Sequence, residues 1–327
     1  MNEKILSIII PAYNVENYIN KCLTSCINQN IPSGDYEIII VEDRSTDNTL
    51  LLIKDFINQH QNYCFKLIEH KENKGLSCAR NSGIEVAQGK YIWFVDSDDF
   101  ISDNILQSLL QEVINNDLDM LWFNYSIIKN NNKKRICTIK KNPENDFICK
   151  GTQFFKHYYN DTHVVWVYFI KRDLLLEKSL LFIPYIYYED IAFTPIAIIL
   201  SRKIKYKNIT AYHYLIRKES IMHGTKDIEK EMQSYIFISK GLEKSSQSLN
   251  NKDFTIWKDK FISNHTLFFL RGLAKKKLFY IYYKMYYDLK KENIIPIKYY
   301  GNFKRQILIF LLNNFNYLFI RICKYLY

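Results

Sequence analysis

Residues 91–100 read YIWFVDSDDF, five apolar side chains in a row followed by three carboxylates within four positions. An uninterrupted apolar run of this length is the signature of a strand covered on both faces, as in a parallel sheet. Like charges packed this closely repel, and partial burial makes the repulsion worse. Something must compensate them, and the residues leave three answers open: a metal ion, a basic cluster, or bulk solvent at a loop tip.

Working outward, residues 6–10 (LSIII) form a second short apolar run, stopped by Pro11. Asn14 is expected to cap a helix whose inner face carries Val15, Ile19, Cys22, Cys26 and Ile27. Residues 37–41 (EIIIV) give another strand, and Ser45 or Asp47 caps a helix with Leu50, Leu51, Ile53, Phe56 and Ile57. Residues 65–68 are strand-like, residues 76–88 are helical in period, and Gly89 stands where a C-terminal cap is expected. A helix bearing Ile105, Leu106, Leu109, Leu110 and Val113 follows the acidic stretch. Alternating apolar strands and amphipathic helices predict a doubly wound, mostly parallel α/β sheet. Ligands of such sheets bind beyond the carboxyl ends of the strands, and Asp43 and Asp96 both follow strands onto that rim.

Residues 119–128 read as a further strand, residues 130–135 as a polar turn, and the pattern from about 150 to 223 is mixed. Within it residues 166–170 are strand-like and residues 191–200 helical. Beyond Gly224 no strand–helix unit remains, and the chain becomes helical, basic and aromatic. The expected organisation is a catalytic domain over residues 1–225, with an acceptor side at about 150–225, and a helical extension over residues 226–327.

Bulk composition sets limits on partners. The 327 residues are 48% hydrophobic and 24% charged, ample for a packed core and unlike a disordered chain. A net charge of +11 favours an anionic partner: a phosphorylated substrate, a membrane surface or nucleic acid. The basic residues are spread along the chain and no nucleic-acid-binding motif occurs, so nucleic acid is not expected. The seven cysteines form no CxxC pair, and Cys22 and Cys26 fall on an apolar helix face, which points to reduced thiols and a cytoplasmic setting. No secretory signal is expected, because the first apolar run is short and ends at Pro11.

Six segments then follow one another in a telling order: PAYN (11–14), VEDRSTDNT (41–49), NKGLSCARNSG (73–83), GKYIWFVDSDD (89–99), YED (188–190) and RKESIMH (217–223). Their order and spacing resemble the family 2 glycosyltransferases over roughly the first two-thirds of the chain. The resemblance implies a GT-A fold, a nucleotide-sugar donor (a UDP-sugar), an inverting transfer and a divalent Mn2+ or Mg2+ ion. It implies that Asp98 binds the metal, that Asp96 reaches the ribose or a metal-bound water, and that Asp99 supports the loop. Pro11, Tyr13 and Asp43 match the nucleobase pocket, although Glu42 and Arg44 replace the more usual Asp and Gly beside Asp43. By the same resemblance Arg80 lies near the diphosphate or the acidic cluster, and Asp190 is the general base with Glu189 orienting the acceptor or loop. His223 is implied as a third metal ligand or a diphosphate contact and Arg217 as a phosphate clamp; Leu215 stands where the family often has a first arginine. The chemistry is coherent, since a departing nucleoside diphosphate develops negative charge that a hard cation on oxygen ligands neutralises.

Two other classes compete. A nucleotidyltransferase shares the fold logic but carries a Gly-rich basic loop after the first strand, which PAYN is not. A non-enzymatic basic protein would concentrate its cations on one face. The apolar tail, residues 307–327, is interrupted by Asn313, Asn314, Asn316, Arg321 and Lys324, too polar for a spanning helix. With Lys275, Lys276, Lys277, Lys304 and Arg305 it suits either an anionic membrane surface, where lipid-linked acceptors reside, or packing against protein.

Overall fold

A computed structural model describes residues 4–129, 133–137, 147–216 and 227–325. The chain divides into two compact units, Met1–Thr225 and Lys226–Tyr327.

The first unit is built on one mixed sheet. Strands β1 (Leu6–Ala12) and β2 (Tyr36–Glu42) are buried at every position, the outcome expected for apolar runs with helices on both faces. Helix α1 (Ile19–Ile27) lies between them in sequence, and α2 (Thr49–Gln59), β3 (Phe65–Glu69), α3 (Leu76–Val86) and β4 (Tyr91–Phe94) complete the first half. There follow β5 (Phe100–Ile101), α4 (Leu106–Asn116), β6 (Met120–Lys129), β7 (Lys133–Cys137), β8 (Ile148–Cys149) and α5 (Gly151–His157). A 3-10 turn, Val165–Val167, then leads into β9 (Tyr168–Lys171), α6 (Arg172–Glu177), α7 (Glu189–Leu200) and β10 (Ile204–Leu215). The sheet runs β3-β2-β1-β4-β9-β6-β10-β5, with β7 and β8 pairing at its side. Strands β3, β2, β1 and β4 are parallel; β9 enters antiparallel between β4 and β6, and β10 runs parallel to β6. The register matches Ala12 with Glu42 and Ile9 with Phe94, so β1, β2 and β4 deliver Tyr13, Asp43 and Asp96 to one rim.

Several local expectations need correction. Pro11 does not stop β1, which continues to Ala12; lacking an N–H, Pro11 costs the ladder a donor without bending the strand out of the sheet. Asn14 caps no helix: α1 begins at Ile19, and the Asn14 side chain accepts from Thr46 N (2.8 Å) in the neighbouring loop. Asp47, not Ser45, receives the first-turn N–H of α2, from Thr49 (3.0 Å). Helix α3 ends at Val86 instead of running to Gln88, and Gly89 serves packing: a Cβ there would lie 2.4 Å from backbone atoms of Leu6 and Ser7. The strand read over 166–170 is a 3-10 turn followed by β9.

The second unit contains α8 (Ile228–Leu249), α9 (Lys252–Lys275), α10 (Phe279–Lys291), α11 (Phe303–Asn314) and α12 (Asn316–Tyr325). Side chains of Asp227, Asn251 and Asn302 cap α8, α9 and α11 by accepting first-turn N–H groups. Met232, Tyr235, Ile238 and Leu242 of α8 and Tyr282, Met285 and Leu289 of α10 are buried in its core. The apolar tail is not one helix, because the chain breaks at Phe315; Ile320 packs inward while Phe310 stays exposed. Among the described residues no helix is long and apolar enough to cross a membrane.

Helix α3 approaches β1 closely at Gly83, where a Cβ would lie 2.3 Å from Ile9 Cγ2. Gly83→Ala should therefore destabilise the fold by about 1–3 kcal/mol through overpacking. Thermal denaturation checks this, and an unchanged melting temperature would contradict the close seat.

Candidate active site

The acidic stretch leaves β4 as a tight turn in which Asp99 N donates to Asp96 O (3.0 Å). Asp99 points inward. It is 2% exposed and accepts from Tyr212 Oη (2.7 Å) and Leu215 N (2.7 Å). Burial, then the charges of Asp98 and Asp96, push its carboxyl well above the usual range. Tyr212 Oη lies 3.1 Å from Asp96 N, so a single hydroxyl ties the turn to β10. The Tyr212 ring in turn stacks on buried Trp166 at 4.3 Å, which makes Trp166 a core residue behind the site.

The compensating charge is a guanidinium. Arg80, on α3, is 1% exposed; its Nη1 donates to Glu189 Oε1 (2.6 Å) and Asp190 Oδ1 (2.9 Å), and its Nη2 to Asp96 Oδ1 (2.9 Å). Burial alone would favour deprotonation, but Asp190, Asp96 and Glu189 outweigh it and hold the side chain firmly cationic. The Phe182 ring lies 5.2 Å from the guanidinium carbon. The next residue on α3, Asn81, exchanges two hydrogen bonds with the Phe182 backbone, donating to its oxygen (2.8 Å) and accepting from its nitrogen (2.9 Å). Adjacent residues of one helix thus anchor both the loop before α7 and the acids at its start.

Glu189 and Asp190 occupy the first turn of α7, where backbone N–H groups and the helix dipole favour negative charge. Tyr188, immediately before them, adopts a left-handed conformation (φ 63°). Asp190 Oδ2 accepts from Val165 N (3.2 Å), while Arg80 holds Oδ1. Burial raises the Asp190 carboxyl most; Arg80 opposes this, and Glu189 and Asp96 add to it, placing the group at about 7. A carboxyl raised from 3.8 to about 7 binds its proton more tightly folded than unfolded. Its contribution to stability is complete at acid pH and is lost as pH rises through about 7.

At the other end of the rim, Pro11 is buried and Tyr13 is 44% exposed. Asp43 is buried and heavily engaged: Oδ1 accepts from Lys74 N (2.8 Å) and meets His70 Nδ1 (2.6 Å), and Oδ2 accepts from Gly75 N (2.7 Å). Asp43 therefore anchors the loop before α3. Glu42, where the family more often has Asp, turns its carboxylate back onto Arg44 N (3.2 Å) and Ser45 N (2.5 Å). Arg44 takes φ 63°, the left-handed geometry a glycine adopts at no cost. Arg217 and His223 lie outside the described residues.

The carboxylates suit a hard cation unequally. Asp99 is committed to Tyr212 and Leu215, and Asp96 gives one oxygen to Arg80 while its other takes no donor among the described residues. Asp98 is half-buried on the same turn. Asp98 and the second Asp96 oxygen are the donor set such an ion would use. Among the described residues no group of three His, Cys, Asp or Glu forms a complete metal cage. The structure brings four of the residues singled out in the sequence, Asp96, Arg80, Glu189 and Asp190, into one cluster. The sequence motifs missed Tyr212 and the Val165 N–H, because the alternating run AYHY (211–214) marks a strand but not its partners.

Comparison with known proteins bears on this arrangement. The family model described as glycosyl transferase family 2 matches residues 7–177. The uncharacterized glycosyltransferase YibD of Escherichia coli is 30% identical over 255 residues, 76% of this chain and 72% of that protein. A poly(ribitol-phosphate) beta-glucosyltransferase of Bacillus spizizenii is 32% identical over 220 residues, 65% of this chain and 32% of that protein. Among solved structures, S. aureus TarS 1-349 in complex with UDP-GlcNAc superposes with a TM-score of 0.74 at 19% identity, covering 98% of this chain and 90% of that one. The central sheet and the helical C-terminal region thus follow a GT-A glycosyltransferase fold. With the family model spanning more than half the chain and the acidic rim built as described, the protein belongs to glycosyl transferase family 2.

Proposed function

We propose that the chain is an inverting transferase that moves a sugar from a UDP-sugar to a hydroxyl of a glycan or lipid-linked acceptor during surface-polysaccharide synthesis. The observation that carries this reading is Asp190, a carboxyl at about 7 fixed from both sides on the rim that holds Asp96 and Asp98. A base must be free of its proton at working pH yet willing to take one, and a group near neutrality meets both demands. Val165 N–H and Arg80 hold the two Asp190 oxygens, fixing the direction from which an acceptor hydroxyl is deprotonated. Glu189 shares the Arg80 guanidinium and orients that region. Tyr13, exposed at the end of β1, offers a ring face to the nucleobase, with Pro11 and Asp43 supporting the pocket wall. Asp98 and Asp96 would hold Mn2+ or Mg2+, and the cation supplies charge neutralisation for the diphosphate when bound. Arg217 and His223 are proposed as further diphosphate and metal contacts.

The donor assignment draws support from TarS, whose structure contains UDP-GlcNAc, and the acceptor class from the relative named for poly(ribitol-phosphate). We place the catalytic domain in residues 1–225, with the acceptor side over 150–225. The setting is cytoplasmic, at the inner face of the membrane, with the helical unit as a peripheral contact.

Two outcomes test the chemistry. Purified protein with manganese should hydrolyse UDP-sugars slowly, and Asp98→Ala should abolish this; hydrolysis surviving in the variant refutes the metal assignment. Transfer should rise as pH increases through about 7, because Asp190 must lose its proton to act. Asp190→Asn should cut transfer by about 10²–10⁴-fold while leaving UDP binding intact. A flat pH profile together with full activity in Asp190→Asn would remove Asp190 from the mechanism.

A further inference from the structure

The helical unit contains a cavity of about 640 Å³ that nothing in the transferase chemistry uses. Helix α9 supplies one wall. Leu267, Phe268, Arg271 and Lys275 recur at helical spacing on one face of it, and Gly272 between them leaves open space where a side chain would stand. Helix α11 contributes Lys304, Arg305 and Leu308 opposite, and α12 contributes Phe319. Arg305 Nη1 reaches across to Asn264 Oδ1 on α9 (3.1 Å), fixing one guanidinium at the edge.

Four cations converge here without an anion. Arg271, Lys275, Lys304 and Arg305 make no ion pair among the described residues, although other lysines of this unit pair with Glu229, Glu243, Asp259 and Glu292. Among the described residues no carboxylate lines the cavity. The Arg271 Nε is buried and has no acceptor among the described residues. Besides Asn264 and Asn302, the wall between the cations is apolar: Leu267, Phe268, Leu308 and Phe319. Phe268 on the wall is itself 72% exposed, and Phe303 on α11 and Tyr317 on α12, the two other helices that line the cavity, are 77% and 71% exposed.

From this pairing we infer that the cavity seats the phosphate headgroup of an anionic lipid, with Arg271, Lys275, Lys304 and Arg305 around the phosphate and the α11–α12 aromatics in the acyl boundary. A free phosphate would satisfy the cations but leave the apolar walls wet. A lipid satisfies both at once, and exposed aromatics beside lysine and arginine are how a helical surface lies in a membrane interface. The inference rests on the peripheral membrane contact proposed above and gives it a defined seat.

The test is flotation of the full chain with vesicles of phosphatidylcholine, with and without phosphatidylglycerol. Binding should require phosphatidylglycerol. Arg271→Ala with Lys275→Ala should weaken it about twenty-five-fold, five-fold for each cation near a charged surface. The exposed pair Lys275→Ala with Lys304→Ala, which leaves Arg271 in place, should lose a similar amount. Lys290→Ala with Lys291→Ala removes equal charge outside the cavity and should change binding less than two-fold, about 0.4 kcal/mol. Equal losses in cavity and control variants, or no binding by the unaltered chain, would overturn the seat. So would calorimetric binding of inorganic phosphate as tight as that of the lipid. A change in sedimenting mass in the cavity variants with vesicle binding intact would assign the face to a second copy and likewise overturn it. Hydrolysis of UDP-sugar by the same variants reports separately on the transferase, so failure of one reading does not imply failure of the other.

Discussion

One buried guanidinium organises the catalytic unit. Arg80 joins a carboxylate at the end of β4 to two at the start of α7, and these come from segments about a hundred residues apart in the chain. Three acids this close could not share a partly buried rim without a fixed cation among them. Removing one partner of such a buried cluster costs far more than the cluster as a whole contributes, because the remaining charges are left uncompensated. The arrangement is therefore better understood as a positional device than as a source of stability. It fixes the donor-side turn and the proposed base to the same atom group.

That device explains how the protonation state of Asp190 is set. Burial raises the carboxyl, Arg80 lowers it, and the neighbouring acids raise it again, with the balance near neutrality. A guanidinium shared among three carboxylates pulls less on each than one paired with a single acid. The same sharing leaves a residual negative charge on the rim.

Much of the architecture was legible because its cause is local. Runs such as LSIII and EIIIV can satisfy their burial only inside a sheet covered on both sides, so β1 and β2 stood where the residues placed them. The shared rim of Asp43 and Asp96 followed from the strand–helix alternation of the first half, which makes β1, β2 and β4 parallel. Features that depend on distant partners were not legible. Asn14 is a good capping residue, but its amide oxygen was taken by Thr46 from another loop. Gly89 has the look of a helix terminus, yet its lack of a side chain serves the neighbouring strand. Asp43 stands two residues before Ser45, a residue type that caps helices, and instead gathers the backbone of residues 74 and 75. Tyr212 carries no motif at all, and only the sheet brings its hydroxyl to Asp96 and Asp99. The reversal of β9 has the same origin, since strand direction depends on connections the residue pattern does not encode.

Gly83 and Arg80 stand three residues apart on α3, one turn of the same helix. At Gly83 the helix backbone rests on the Ile9 side chain with no side chain of its own between, so the guanidinium is mounted close to the sheet. Its lever arm is short. Small tilts that a longer spacer would absorb or amplify are instead suppressed, and the acids inherit the stiffness of the most deeply buried strand. Adaptation to new acceptors is thereby channelled toward the surrounding loops, because the mounting itself has no slack to give.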